Sequence, residues 1–179
     1  MNALVLLSNY VLIPSLSYGS QLALGAVGVT LVFGILRFAN FAHGEIMSFG
    51  SMVTVLITWW FQSLGVTMGF FPTALLALPF SILITIFLVL IIDNTVFSFY
   101  RKNKSRAVTY IVTSVGVMFI LNGLVRIIIG TDEIIFRDGQ KFLIKAGHFK
   151  KMTGLSEGLA LKQTQVLTIV IAIISVVLL

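Results

Sequence analysis

The sequence predicts an all-α integral membrane protein, a polytopic bundle of about five transmembrane helices with the last one incomplete. Three observations carry this prediction. Of 179 residues, 58% are hydrophobic and only 10% charged, and mean hydropathy is +1.08. A soluble domain has too little interior to hide that much apolar surface, whereas lipid solvates it. The apolar residues also gather into runs close to the ~20 needed to cross the hydrocarbon core as a helix. Finally, the charges fall in gaps between those runs.

The elements follow in order. Met1 to Leu16 is apolar but broken by Asn9 and Pro14. It is read either as an interfacial segment or as a broken extension of the first helix. The first span runs from Ser17 to Leu36 without a charge, and the second from Glu45 to Leu64. The third runs from Phe70 to Ile92, and the fourth from Val108 to Ile129 with Arg126 near its end. The fifth starts at Thr164 and stops at Leu179. At about 1.5 Å per residue it covers roughly 24 Å of a ~30 Å core, so the chain is expected to be cut inside a helix. Residues 1–179 are read as one membrane domain without internal repeats, the N-terminal portion of a longer protein.

Net charge is +6, but the basic residues are placed to set orientation rather than to bind nucleic acid. Asp93 to Ala107 is read as a loop whose Arg101, Lys102, Lys104 and Arg106 put it in the cytoplasm. Arg37 to Gly44 then shares that side, while the turn around Gly65 to Gly69 and the loop from Gly130 to Gln163 face outward. Trp59 and Trp60 fall at the outer interface, with Tyr100 and Tyr110 at the inner one. There is no cysteine, which excludes disulfides and thiolate metal sites. No cleavable signal peptide is expected, because a basic n-region is missing.

Few residues carry possible chemistry. Gly19, Ala23, Ala26, Thr30 and Gly34 recur at steps of three and four along the first span. Small residues on one face let another helix approach closely, so these are candidate helix-packing positions; lining a pathway is the alternative. Asn40-Phe41-Ala42-His43-Gly44-Glu45 packs three polar side chains between two spans. Such groups are costly at membrane depth unless they are partnered or line a wet cavity. Two roles compete for Asn40, His43 and Glu45: facing a translocation route, or capping helices and tying the turn. One His and one Glu are too few for a zinc site, and no cofactor is called for. Ser114, Met118, Asn122 and Arg126 fall at steps of four on the fourth span. Asn122 there needs a hydrogen-bond partner on another helix and is a further pathway candidate. Arg126 is placed to snorkel.

The string Leu36-Arg37-Phe38-Ala39-Asn40-Phe41-Ala42-His43-Gly44-Glu45 resembles a signature of the permease family of branched-chain amino-acid ABC importers. Tyr18-Gly19-Ser20, Leu31-Val32-Phe33-Gly34, Tyr100-Arg101 and Ser114-Val115-Gly116 are similar to that family's sequence as well. The resemblance implies a multi-pass subunit of the cell inner membrane for leucine, isoleucine, valine or related amino acids, amides or urea. It implies a second permease subunit, two cytoplasmic ATPase subunits and a periplasmic substrate-binding protein as partners. ATP hydrolysis would belong to the ATPases, so the chain itself would not be an enzyme. No counterpart of the family's ATPase-coupling loop is found in the sequence. Two other classes stay open: a membrane-embedded enzyme using His43 and Glu45, which lacks further convergent polar groups, and a structural subunit without a pathway.

Overall fold

The computed structural model describes residues 2–66, 72–132, 136, 138, 142–144, 146–153 and 158–178. Contacts cluster into two units, residues 31–138 and residues 1–30 with 139–179.

The first helix is longer than the apolar run from Ser17. Helix α1 (Asn2–Leu7) passes through a π turn (Ser8–Leu12) into α2 (Ile13–Leu36), giving one stretch from Asn2 to Leu36. The extension reading of the N-terminus is therefore the correct one. Asn9, which reads as a helix breaker, is satisfied by tertiary contacts. Its amide donates to the Gly158 carbonyl at 2.7 Å and accepts from the Ala160 N–H at 3.0 Å. The π turn ends just before Pro14, which has no N–H for the α ladder.

In the unit of residues 31–138, α3 (His43–Ser63) and α4 (Ala74–Ile92) pack as antiparallel neighbours, and α6 (Ala107–Ile129) lies against α3. The expected loop after Ile92 is corrected. A π turn (Asp93–Phe97) and α5 (Ser98–Lys102) prolong α4 into one helical stretch, Ala74 to Lys102, leaving only Asn103 to Arg106 as a turn. Charged residues read as loop, yet a helix carries them where their side chains reach solvent. Here Arg101 and Asp93 also pair along the helix, at 3.0 and 2.7 Å. Phe70 and most of the turn around Gly65 to Gly69 lie outside the described residues, and α4 starts at Ala74.

Two apolar clusters hold the helices. Phe38, Ala42, Phe97, Val117 and Leu121 are buried in one; Phe49, Met52 and Val53 form the other, with Leu124 and Ile129 packed against it. In the remaining unit, β1 (Phe142–Ile144) pairs antiparallel with β2 (Leu161–Lys162) across a bulge. A short α7 (Ala146–Thr153) precedes β2, and α8 (Gln163–Leu178) follows it.

Among the described residues, three stretches are long and apolar enough to cross a membrane: Asn2–Leu36, Ala74–Lys102 and Ala107–Ile129. Helix α3 has the length, at 21 residues, but a more polar composition, and α8 has 16 residues. The chain is a helical, multi-pass membrane protein.

Candidate functional site

The polar turn between α2 and α3 is built by its own side chains. Leu36 ends α2, and Arg37 takes a left-handed conformation at φ 58°, with its N–H on the Phe33 carbonyl at 2.9 Å. Helices commonly stop this way, though usually on Gly or Asn. With a Cβ, the conformation costs about 1 kcal/mol. The Asn40 Oδ1 then accepts the Ala42 N–H at 3.1 Å, and the Asn40 carbonyl accepts the His43 N–H at 3.3 Å. This Asx-type turn launches α3. Phe38 locks the turn in place, stacking on Tyr110 at 5.1 Å and meeting Phe97 at 6.0 Å.

The depth of this turn was not readable from the sequence. Its Phe41 N–H donates to the Ser114 Oγ at 3.2 Å, and the buried Ser114 hydroxyl donates to the Ile111 carbonyl at 2.7 Å. Ser114 lies two turns inside α6, about 10 Å from its start at Ala107. On the other side the α4 stretch runs on from Asp93 to Lys102, about 14 Å. The turn is therefore recessed below the ends of both neighbours. Above it is a cavity of about 590 Å3 lined by Arg37, Asn40 and Ala42 from the turn, Asp93 and Arg101 from one wall, and Tyr110 and Val117 from the other.

The stripe on α6 does face α3. Ser114 holds the turn, Met118 joins the Phe38 cluster, and the Asn122 amide donates to the Glu45 Oε1 at 3.0 Å. Arg126 Nε donates to the Asn122 Oδ1 at 2.9 Å, completing a chain of three side chains. Glu45 is in the first turn of α3, where the helix dipole favours a negative charge. Asn40 and Glu45 are thus held by turn and helix contacts. The half-buried His43 makes no side-chain hydrogen bond among the described residues. His43 and Glu45 are two apart on a helix and do not face each other. No group of His, Cys, Asp or Glu able to hold a metal ion occurs among the described residues.

Two polar seams escaped sequence reasoning. Between α3 and α4, the Ser81 hydroxyl donates to the Gly50 carbonyl at 2.8 Å, and the Thr54 Oγ1 lies 2.7 Å from the Ser81 Oγ. A Cβ on Gly50 would come within 3.2 Å of the Thr85 Oγ1, so glycine permits this approach. Four-residue spacing of Gly50 with Thr54, and of Ser81 with Thr85, was the available signal. At the opposite end from the recess, Asp138 accepts the Ala74 N–H at 2.7 Å and the Gln62 amide at 3.1 Å. It caps α4 and ties it to α3.

Among the described residues, nothing covers the small-residue face of α2. Gly19, Ala23, Ala26, Thr30 and Gly34 are all exposed, and a Cβ on Gly19 or Gly34 would meet nothing within 4 Å. The Thr30 hydroxyl satisfies itself on the Ala26 carbonyl at 2.8 Å.

Residues 11–179 match the family described as branched-chain amino acid transport system / permease component. Among curated proteins, the chain is 41% identical over 56 residues to the high-affinity branched-chain amino acid transport system permease protein LivH of Escherichia coli K12. That match covers 31% of this chain and 18% of the relative. Permease protein BraD of Pseudomonas aeruginosa is 44% identical over 45 residues, covering 25% and 15%. LivH of Salmonella typhimurium is 51% identical over 39 residues, covering 22% and 13%. The aligned stretch thus spans less than a fifth of these relatives' length. No solved structure matches.

Proposed function

Since the chain belongs to the branched-chain amino acid transport system permease family, we propose that it forms part of the translocation pathway of an ABC importer for leucine, isoleucine, valine or a related amino acid. The recessed turn from Arg37 to Ala42 is the observation that carries this reading. Non-helical backbone at membrane depth is stable only when it is buried in protein or lines a water-filled cavity. This turn does both: Phe38 and Ala42 are buried, while Arg37 and Asn40 line the cavity. Broken helices beside a cavity are a recurrent way for transporters to build a substrate route.

In this reading Asn40 and His43 border the route, and Glu45 with Asn122 fixes the wall behind them. The protein sits in the inner membrane. The Asn103 to Arg106 turn and the open end of the recess face the cytoplasm, as the positive-inside rule requires. A second permease subunit, two cytoplasmic ATPases and a periplasmic binding protein complete the assembly, and ATP is hydrolysed in the ATPases. The uncovered small-residue face of α2 suits a neighbouring transmembrane helix.

Radiolabelled leucine uptake in cells lacking the gene, and in the same cells complemented with it, tests the proposal. Complementation is expected to restore uptake, and Asn40→Leu to reduce it while the protein stays in the membrane. Equal leucine, isoleucine and valine uptake with and without the gene would reject the assignment.

A further inference from the structure

The recess holds a cation without a counter-ion. Arg37 lines it, and its guanidinium has no hydrogen-bond or ion-pair partner among the described residues. In the same lining, Asp93 is held by Arg101 in a two-pronged pair at 3.0 and 2.7 Å. That pair is open to solvent, with side chains 45% and 54% exposed, so it is weak and exchangeable. The rest of the lining is mainly aliphatic, with Ile46, Val89, Leu90 and Val117 among it. An unpaired cation, a displaceable carboxylate and a branched aliphatic wall in one concavity match the parts of a free apolar amino acid.

We infer that Arg37 and Asp93 are the two poles of a zwitterion subsite in the recess. Arg37 takes the substrate carboxylate through charge-assisted hydrogen bonds. The ammonium replaces Arg101 at Asp93, and the side chain lies on the aliphatic wall. Arg101, once displaced, is the group that reclaims Asp93 when substrate leaves. The inference rests on the permease reading of the recess and assigns the residues that hold the substrate there.

The chain contains no cysteine, so a single one can report on the recess. Leu90→Cys places it on the wall at a position that is 61% exposed; Phe119→Cys, at 67%, lies off the recess and serves as the control. The full chain in lipid nanodiscs is labelled with a polar maleimide. L-leucine is compared with leucinamide, which lacks the carboxylate, and with 4-methylpentanoate, which lacks the ammonium. Leucine is expected to slow labelling at Leu90→Cys but not at Phe119→Cys, at concentrations about tenfold or more below either analogue, the range for losing one charge-assisted bond. Arg37→Gln should erase the advantage over leucinamide, and Asp93→Asn the advantage over 4-methylpentanoate. Arg37→Gly, whose backbone suits φ 58°, should behave like Arg37→Gln and so separates binding from folding. Equal protection by all three compounds overturns the subsite, as does unchanged leucine preference in Arg37→Gln. Leucine uptake by the intact transporter, measured in parallel, separates the two ideas. Uptake without protection leaves the permease reading standing and removes the subsite; no uptake by the parent removes the permease reading.

Discussion

The Glu45–Asn122 contact can be measured as a coupling energy. It joins the start of α3 to α6 through one hydrogen bond at 3.0 Å, between half-buried side chains. Hydrogen bonds to a charged group contribute about 1.5–3 kcal/mol in proteins, while polar contacts between membrane helices average about 0.6 and reach about 1.7. Asn122→Ala removes the donor from a carboxylate that stays in place, so it is expected to cost about 2 kcal/mol. Arg126 loses its acceptor too, but it is exposed and reaches water, which adds little. Glu45→Ala should cost about 1 kcal/mol, because the Asn122 carbonyl keeps Arg126. Glu45→Gln retains an acceptor and should stay within about 0.5 kcal/mol. The Glu45→Ala/Asn122→Ala cycle should return a coupling of about 1–1.5 kcal/mol. Reversible unfolding of the chain in mixed micelles, titrated with a denaturing detergent and followed by the fluorescence of Trp59 and Trp60, gives each value. A coupling within about 0.3 kcal/mol of zero would mean that the two helices do not meet at these residues.

Three other perturbations have expected outcomes in the same assay or beside it. Gly50→Leu should destabilise by about 1–3 kcal/mol through overpacking, whereas Gly50→Ala needs only a shift of the Thr85 hydroxyl and should cost under about 1. Asp138→Ala should cost about 1–2 kcal/mol by uncapping α4 and releasing Gln62, and Asp138→Asn should recover part of that. Gly19→Leu should leave the unfolding of the isolated chain within about 0.5 kcal/mol, because nothing lies within 4 Å of that position. If the proposed assembly forms, Gly19→Leu should nevertheless lower co-purification of the second permease subunit with the chain.

The apolar runs were legible because their signal is composition over a window. Helix α6 begins and ends within a residue of the run read from Val108 to Ile129. The stripe from Ser114 to Arg126 was legible for a similar reason, since four-residue steps define a helix face wherever the helix sits. Both misread boundaries have one cause. Asn9 and the charges after Ile92 look like breaks only if nothing answers them. Asn9 is answered by the backbone of residues 158 and 160, and Asp93 by Arg101 two turns along its own helix. The cap by Asp138 was equally hidden, because its partners lie 76 and 64 residues away. The candidate turn could be picked out by its polarity, but not its depth, which is set by Phe41 reaching Ser114.

Helix α3 explains why that depth is tolerated. It starts at a polar turn, yet no buried side-chain nitrogen or oxygen lacks a partner among the described residues. Its first turn is met by Asn122 and its middle by Ser81, so α4 and α6 supply polar partners that lipid lacks. The α4 stretch has the opposite character: Leu83, Ile86 and Phe87 are 51–66% exposed and suit hydrocarbon. Of α3, α4 and α6, the least lipid-like is therefore the one with neighbours on two sides, and the break that begins it opens into the recess. A polar helix sheltered in this way has its unwound start packed against protein on two sides, which is what the proposed route requires of non-helical backbone.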